Sequence, residues 1–94
     1  MLKFVWNVSK AAANAHKHGV AIDEAATVFA DPLSITIEDR EHSFDELRLV
    51  TMGASSSGRI LVVVHADRGD EMRIISARSA TAREKRSYHG KGHS

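Results

Sequence analysis

The segment Ile60-Leu-Val-Val-Val64 is the longest uninterrupted apolar run in the chain of 94 residues. Its residues are mostly β-branched, which favours a strand, and the absence of polar alternation indicates that the strand is covered on both faces. Asp67-Arg-Gly-Asp70 then predicts a tight turn, and Met72 to Ala77 predicts a second apolar strand. We therefore place Ile60 to Val64 at the centre of a β-sheet.

The residues upstream of this segment predict two more strands. From Leu33 to Glu38, apolar and polar residues alternate, and a period of two is typical of a strand with one buried face. A charged connection at 39–45 precedes a strand from Leu47 to Met52, and Ser55 to Gly58 form a loop. The last three strands are therefore predicted to form an antiparallel meander.

The N-terminal part predicts one strand followed by a helix. Phe4 and Trp6 lie on one face of a short strand, and this aromatic pair is expected to anchor the core. Ser9 is predicted to cap a helix that continues to about His18. Gly19 supplies the left-handed residue that commonly follows a helix end.

Two further helices are predicted on either side of the strands. Asp23 is expected to cap the second helix, which runs to residue 29 or 30. Asp31-Pro32 ends it, because the residue before a proline avoids the helical conformation. The third helix follows the last strand, where Thr81 and Glu84 have the spacing of a capping box.

The predicted order is therefore β-αα-ββββ-α, an α+β fold with helices on one face of a mainly antiparallel sheet. A hydrophobic content of 43% in 94 residues supports one small core. Residues 1–88 are accordingly expected to form a single domain, and residues 89–94 a flexible tail.

Charge is unevenly distributed along the chain. The formal net charge is only +1, yet from residue 78 onward Glu84 is the single acidic residue among five Lys and Arg side chains. Such a basic patch favours a polyanionic ligand. The absence of cysteine excludes disulfides, thiolate catalysis and thiolate metal sites, and the first residues lack the pattern of a signal peptide. We expect a soluble, cytoplasmic protein.

Several sequence blocks between residues 4 and 88 resemble the BrnT family, and they occur in the same order. The blocks are Phe4-x-Trp6, Lys17-His18-Gly19-Val20, Glu24-Ala25-x-x-Val28-Phe29-x-Asp31-Pro32, Glu46-x-Arg48 ahead of Gly53, Arg73-Ile-Ile-Ser-Ala-Arg78-x-Ala80, and Glu84-Lys85-x-x-Tyr88. Two positions depart from the family pattern. Asn7 stands where the family usually has Asp, and Lys85 stands where it often has Arg.

The resemblance implies a RelE-like fold and a ribonuclease toxin of a type II toxin–antitoxin pair, which cleaves RNA and arrests translation. It also implies neutralisation by a cognate BrnA-like antitoxin, whose ribbon-helix-helix domain binds DNA, so that this chain meets DNA only through its partner. No membrane partner is implied. Asn7 would remove a negative charge from the family's pattern, and Lys85 would replace a planar fork with a point charge.

Cleavage of RNA without a metal needs activation of the 2′-hydroxyl, stabilisation of extra negative charge at the phosphate, and protonation of the leaving oxygen. Together with the resemblance, this chemistry defines a predicted catalytic group, in which the basic members stabilise charge and the others carry acid or base groups: Lys17, Arg73, Arg78, Glu84 and Tyr88. The predicted RNA-binding residues are His18, Arg48, Lys85 and Arg86. No cofactor and no metal ion are expected, since the histidines do not form a metal-binding motif.

Alternatives remain open for several of these residues. Arg73 and Arg78 are five residues apart, so a regular strand would direct them to opposite faces unless it ended earlier. Glu84 has the alternative role of orienting Arg78, and Tyr88 that of packing its helix onto the sheet. Glu46 and Arg48 are expected to form an ion pair along one strand, and His65 is expected at the surface.

Two other functions also fit the basic helix. One is an RNA-binding module that does not cut. The other is a protein-binding partner of a DNA-binding regulator, in which the basic helix docks an acidic peptide. RNA cleavage separates the toxin hypothesis from both.

Overall fold

The computed structural model describes residues 3–91 and contains five strands and three α-helices in that range. In chain order the elements are β1 (Lys3–Val5), α1 (Val8–His18), α2 (Ile22–Ala26) continued by a 3-10 turn (Thr27–Ala30), β2 (Ile35–Glu38), a 3-10 turn (Arg40–His42), β3 (Arg48–Ala54), β4 (Ile60–Arg68), β5 (Glu71–Ser79) and α3 (Ala82–Lys91). This is the predicted order β-αα-ββββ-α. Helix α3 extends three residues past Tyr88 into the expected tail, and residues 92–94 lie outside the described residues.

The sheet has the strand order β1-β5-β4-β3-β2, so β4 lies at its centre. Strands β2 to β5 pair antiparallel, and β1 adds to β5 in parallel at one edge. The central position predicted for Ile60 to Val64 is confirmed, and so are the meander and the mainly antiparallel sheet.

The helices cover both faces of the sheet. On the first face, α1 and α2 enclose a core that contains Val28, Leu61 and Val63. On the second face, Ala80 and Tyr88 pack with Ile60 and Val62, so α3 lies opposite the other two helices. The expectation that all helices share one face is wrong for α3. A central strand that is apolar on both sides needs a cover on each side, and α3 supplies the second one.

The helix starts differ from those predicted. Asn7 rather than Ser9 caps α1, because its side-chain oxygen accepts a hydrogen bond from the Lys10 N–H at 3.0 Å. Helix α2 begins directly after Ala21, which makes no side-chain capping bond, and Asp23 lies inside the first turn. The predicted end of α1 is confirmed, since Gly19 has φ of 67°.

The side chain of Asn14 attaches α1 to the edge of β5. Strand β1 pairs with β5 only as far as Arg73, so the β5 edge beyond it has no neighbouring strand. There Asn14 donates to the Ala77 carbonyl at 2.9 Å and accepts from the Ala77 N–H at 3.0 Å. It also donates to the Val20 carbonyl at 3.0 Å. The amide therefore takes the place of a strand at this point.

Trp6 does not anchor the core as predicted. It follows β1 and remains 39% exposed, whereas Phe4 stacks on Phe29 with ring centroids 5.5 Å apart. The prediction that His65 lies at the surface is also wrong, since this residue is only 1% exposed. Strand β4 continues through this residue, and the imidazole lies 2.7 Å from both the Asp67 carboxylate and the Thr51 hydroxyl. Burial is tolerated because both ring nitrogens have a partner.

Candidate active site

Strand β5 contains a bulge at Ile75. Val64 of β4 pairs with Ser76, whereas the next residue, His65, pairs with Ile74. Ile75 is therefore an extra residue on β5 with no partner on β4. An inserted residue of this kind shifts the alternation of side chains by one position.

The bulge brings Arg73 and Arg78 to the same face of the sheet. Arg73 pairs with Ala66 and Arg78 pairs with Val62. These two partners are four residues apart on β4, so they point to the same side, and residues that are directly paired share a side. The opposite-face arrangement expected for a regular strand is thus wrong. Both side chains therefore leave the sheet on the face that carries α3.

Glu84 holds the Arg78 guanidinium in a two-pronged ion pair. Arg78 Nη1 lies 2.8 Å from Glu84 Oε1, and Nη2 lies 3.0 Å from Oε2. Glu84 Oε1 also accepts the Thr81 N–H at 2.8 Å, while the Thr81 hydroxyl accepts the Glu84 N–H at 3.1 Å. The predicted capping box is present. It fixes the carboxylate, and the carboxylate in turn fixes the planar fork of Arg78.

This ion pair keeps Glu84 ionised. The hydrogen bonds from Arg78 are the main cause that lowers the pKa of Glu84 from 4.5 to about 2. The same contact raises the pKa of Arg78. A carboxyl group with such a low pKa carries no proton to donate at neutral pH and is a weak base. The geometry therefore favours the alternative in which Glu84 orients Arg78.

Tyr88 is buried under α3 and bonded to Asp31. Its hydroxyl donates to Asp31 Oδ2 at 2.5 Å, and the same oxygen accepts the Ala54 N–H at 2.8 Å. The bond to Asp31 and burial raise the pKa of Tyr88. Burial opposes ionisation of Asp31, but the hydrogen bonds from Ala54, Tyr88 and Leu33 outweigh it and lower the pKa of Asp31. Tyr88 thus ties α3 to the turn after α2, in agreement with the packing alternative.

Arg73 and Arg48 line a cavity at the edge of the sheet. The cavity has a volume of about 210 Å³, and its wall also includes Trp6, Asn7 and Lys10. Arg73 forms an ion pair with Glu46, which lies in the loop before β3. The prediction of an ion pair between Glu46 and Arg48 is therefore wrong. Arg48 forms no ion pair within residues 3–91, and its buried Nε has no hydrogen-bond partner there. No carboxylate among residues 3–91 therefore neutralises the Arg48 guanidinium.

Lys17 and His18 line a neighbouring cavity of about 240 Å³. Lys10 and Ile75 border both this cavity and the one that contains Arg73, so the two form a continuous basic edge along α1 and β5. Lys10 was missing from the sequence-based set. The sequence did contain a pattern that could have identified Lys10. Residues seven apart on a helix share a face, and Lys10 precedes Lys17 by two turns.

The basic residues of α3 lie in other surroundings. Lys85 and Arg86 are exposed, and Lys85 borders a cavity formed with Arg59 and Ser79. Neither residue lines the cavities that contain Arg73 or Lys17. The predicted RNA-binding residues are thus distributed between two areas, with His18 and Arg48 at the basic edge and Lys85 and Arg86 on α3.

Glu24 is a second carboxylate with a lowered pKa, and its contacts hold the fold together. Glu24 of α2 accepts hydrogen bonds from Ser55, Ser57 and Arg59 in the loop before β4. The bonds from Arg59 contribute most to lowering its pKa from 4.5 to about 2. Glu24 therefore fastens the 55–59 loop to α2. It lies apart from the face of the sheet that carries Arg73 and Arg78, which we call the arginine face.

The two low-pKa carboxylates predict how stability depends on pH. A carboxyl group whose pKa is lower in the folded than in the unfolded protein adds to the free energy of unfolding above pH 4.5. That contribution is lost as the pH falls toward 2. We expect Glu24→Gln and Glu84→Gln each to lower the free energy of unfolding at pH 7 by roughly 1 kcal/mol after allowance for solvent screening. Urea unfolding between pH 2 and 7 measures this difference. The gap between parent and variant should close toward the acid end, and a gap that persists unchanged at pH 2 would contradict the assignment.

Residues 3–91 contain neither a cluster of metal-binding side chains nor a membrane-spanning helix. No group of three His, Asp or Glu side chains there is arranged to hold a metal ion. In the same part of the chain, no helix has the length and apolar character that crossing a membrane requires.

Comparisons with known proteins agree with the fold and the resemblance. Residues 6–84 match the model of a family described as the ribonuclease toxin BrnT of type II toxin–antitoxin systems. The fold is similar to the crystal structure of the Brucella abortus ribonuclease toxin BrnT, with a TM-score of 0.66 and 21% sequence identity over 86% of this chain and 99% of that one. A search of curated proteins gave no match.

Proposed function

The chain belongs to the BrnT family of ribonuclease toxins of type II toxin–antitoxin systems, and from this premise we propose that its arginine face and basic edge cleave RNA without a metal ion. One observation carries the proposal. The bulge at Ile75 sets Arg73 and Arg78 on one face, and Glu84 holds the Arg78 fork in a fixed orientation. Fixed guanidinium groups suit the oxygens of a phosphate.

The proposed reaction is an internal phosphoryl transfer. The 2′-hydroxyl of one nucleotide attacks the adjacent phosphorus, and the bond from phosphorus to the 5′-oxygen breaks. The proton of the 2′-hydroxyl is removed, the leaving oxygen takes up a proton, and the products carry a 2′,3′-cyclic phosphate and a 5′-hydroxyl. Arg78, Arg73 and Lys17 stabilise the additional negative charge on the phosphate oxygens in the transition state. Side chains that already point at the developing charge lower the activation free energy of cleavage, because they do not have to move as the charge forms.

Glu84 and Tyr88 support this centre by holding other groups in place. Glu84 is an ionised partner of Arg78, and the Tyr88 hydroxyl is committed to Asp31. We therefore assign both to positioning rather than proton transfer. His18 lies exposed on the basic edge and is the candidate general base there, since histidine is the residue most often used in that role.

Replacement of Tyr88 by phenylalanine separates positioning from proton transfer. The ring and its packing remain, and Asp31 keeps two backbone donors, so we expect a loss of about 1 kcal/mol in the free energy of unfolding. We also expect kcat to stay within about threefold of the parent, well short of the 100-fold or larger effect typical of a lost acid or base. Initial cleavage rates and urea unfolding measure the two quantities. A large fall in kcat with unchanged stability would return Tyr88 to the catalytic group.

The remaining predicted RNA-binding residues guide the RNA chain. Arg48 and His18 border the basic edge, and Lys85 and Arg86 extend the positive surface onto α3. Contacts to phosphate position a nucleic acid without reading its sequence. A strong dependence of RNA affinity on salt concentration follows from this arrangement.

The partner that we propose is a BrnA-like antitoxin with a ribbon-helix-helix domain, and DNA is contacted through that partner. An apolar groove of about 300 Å³ supports a protein partner, because it exposes Ile35, Ile37 and Met52 beside α3. Glu84, the partner of Arg78, borders the same groove. An antitoxin segment in this groove would lie against the Arg78 pair and block access to it.

Induced expression in a bacterial host tests the proposal as a whole. The chain alone is expected to arrest growth and degrade RNA, and co-expression of its cognate BrnA-like antitoxin is expected to restore growth. Arg78→Ala alone should permit growth at the same protein level. Salt-sensitive RNA binding without cleavage products would instead favour a non-cutting RNA-binding module. Binding to the antitoxin without any effect on RNA would favour a protein-binding partner of a DNA-binding regulator.

A further inference from the structure

Trp6 is an exposed aromatic residue at the border of the basic edge. It is the only tryptophan of the chain and lies between the end of β1 and the cap of α1. Although indole is among the largest apolar side chains, it stays 39% exposed, and no aromatic ring stacks on it within residues 3–91. An open aromatic face of this kind is available to a ligand.

The cavity that Trp6 borders is basic. Lys10, Arg48 and Arg73 line it, and its wall contains no Asp or Glu side chain. Arg73 has Glu46 as a partner, but neither Lys10 nor Arg48 forms an ion pair among the described residues. The buried Nε of Arg48 also lacks a hydrogen-bond acceptor in that part of the chain. Two basic side chains without a carboxylate partner among the described residues therefore line the cavity, and an anionic oxygen in it would form charge-assisted hydrogen bonds with their exposed N–H groups.

We propose that this cavity binds one unpaired nucleotide of single-stranded RNA, with the base stacked on Trp6 and its phosphate held by Arg48 and Lys10. The inference rests on the proposed function and goes further, because it names a base-stacking residue and a single-stranded substrate. Unpaired bases expose a ring face that an aromatic side chain can cover, whereas bases inside a duplex are already stacked. Trp6 thereby positions the RNA chain relative to Arg73 and Arg78.

Tryptophan fluorescence reports directly on this contact, since the whole signal comes from Trp6. The purified full chain is titrated with a short single-stranded 2′-O-methyl oligoribonucleotide, which lacks the attacking hydroxyl and is not cut. We expect saturable quenching of the fluorescence. The same oligonucleotide in a duplex with its complement should cause much weaker quenching at equal concentration.

Substitutions at Trp6 measure the contribution of stacking to cleavage. Trp6→Ala is expected to raise KM for single-stranded RNA by roughly 5- to 150-fold, and Trp6→Phe should retain most of the parent value because a ring remains. The matched control is Phe44→Ala, which removes an aromatic residue that is 85% exposed and lies outside the cavity. Phe44→Ala should leave KM unchanged. Circular dichroism verifies that each variant is folded, and the quenching experiment on the parent does not depend on any variant.

The outcomes separate this inference from the proposed function. If the parent cleaves RNA but Trp6 shows no quenching and Trp6→Ala leaves KM unchanged, the stacking site is overturned and the ribonuclease function stands. If Trp6 fluorescence responds to the antitoxin and not to RNA, Trp6 belongs to a protein interface and the inference is overturned. If the parent neither binds nor cuts RNA, both proposals fail.

Discussion

Replacement of Arg78 by alanine is expected to lower the rate of RNA cleavage by roughly 100- to 1000-fold, the range typical for removal of one preorganised group that stabilises transition-state charge. The change removes the guanidinium and leaves the Glu84 carboxylate without its partner on the same face. That carboxylate would then repel the phosphate. Initial rates with a labelled RNA at saturating substrate concentration measure the effect on kcat.

Three further variants define the cause of this loss. Arg78→Lys keeps the charge but loses the planar fork, so its rate should lie between those of the parent and Arg78→Ala. Glu84→Gln keeps Arg78 but loosens its orientation and should also be intermediate. Arg40→Ala is the control, because Arg40 has an 89% exposed side chain on the 3-10 turn before β3. Equal rates for Arg78→Ala and Arg40→Ala would contradict a role for Arg78.

Replacement of Asn14 by alanine is expected to have the largest effect on stability, a loss of about 3 kcal/mol in the free energy of unfolding. Asn14 is 7% exposed and satisfies three backbone groups, namely both polar groups of Ala77 and the carbonyl of Val20. Each buried backbone group that loses its partner costs about 1–3 kcal/mol, and partial hydration lowers the sum. Urea unfolding at neutral pH measures the loss.

The control for this variant lies on the same helix. His16→Ala changes an exposed residue two positions away and should alter stability by less than about 0.5 kcal/mol. Asn14→Asp keeps one acceptor but loses both amide donors and should be nearly as destabilised as Asn14→Ala. A stable Asn14→Ala protein would show that the β5 edge finds other partners, and that the amide does not fasten α1 to the sheet.

Much of the fold was accessible from the sequence because it follows from local patterns. The apolar run Ile60 to Val64 correctly located the central strand, and Thr81 with Glu84 correctly located the start of α3. The same apolar run also implied that helices cover both faces of the sheet. The prediction that all helices lie on one face failed because the side on which α3 packs depends on contacts between distant elements, and the local sequence pattern does not contain them.

The candidate site was accessible only in part. The sequence showed which arginines could bind phosphate. Whether Arg73 and Arg78 share a face of the sheet, however, depends on the bulge at Ile75. A bulge is a property of strand pairing and leaves no pattern in one strand alone. Likewise, Glu46 lies in the loop before β3 and pairs with Arg73 of β5 instead of with its sequence neighbour Arg48. The path of a loop over the sheet decides such a pair, and a single sequence does not specify that path.

The most direct test of the central claim is the chemistry of the RNA ends produced by the purified chain freed of antitoxin. We predict that cleavage continues in the presence of EDTA and yields fragments with 2′,3′-cyclic phosphate and 5′-hydroxyl ends, and that Arg78→Ala forms these fragments at a greatly reduced rate. Intact RNA, or 3′-hydroxyl ends that appear only when a divalent metal ion is supplied, would contradict the account.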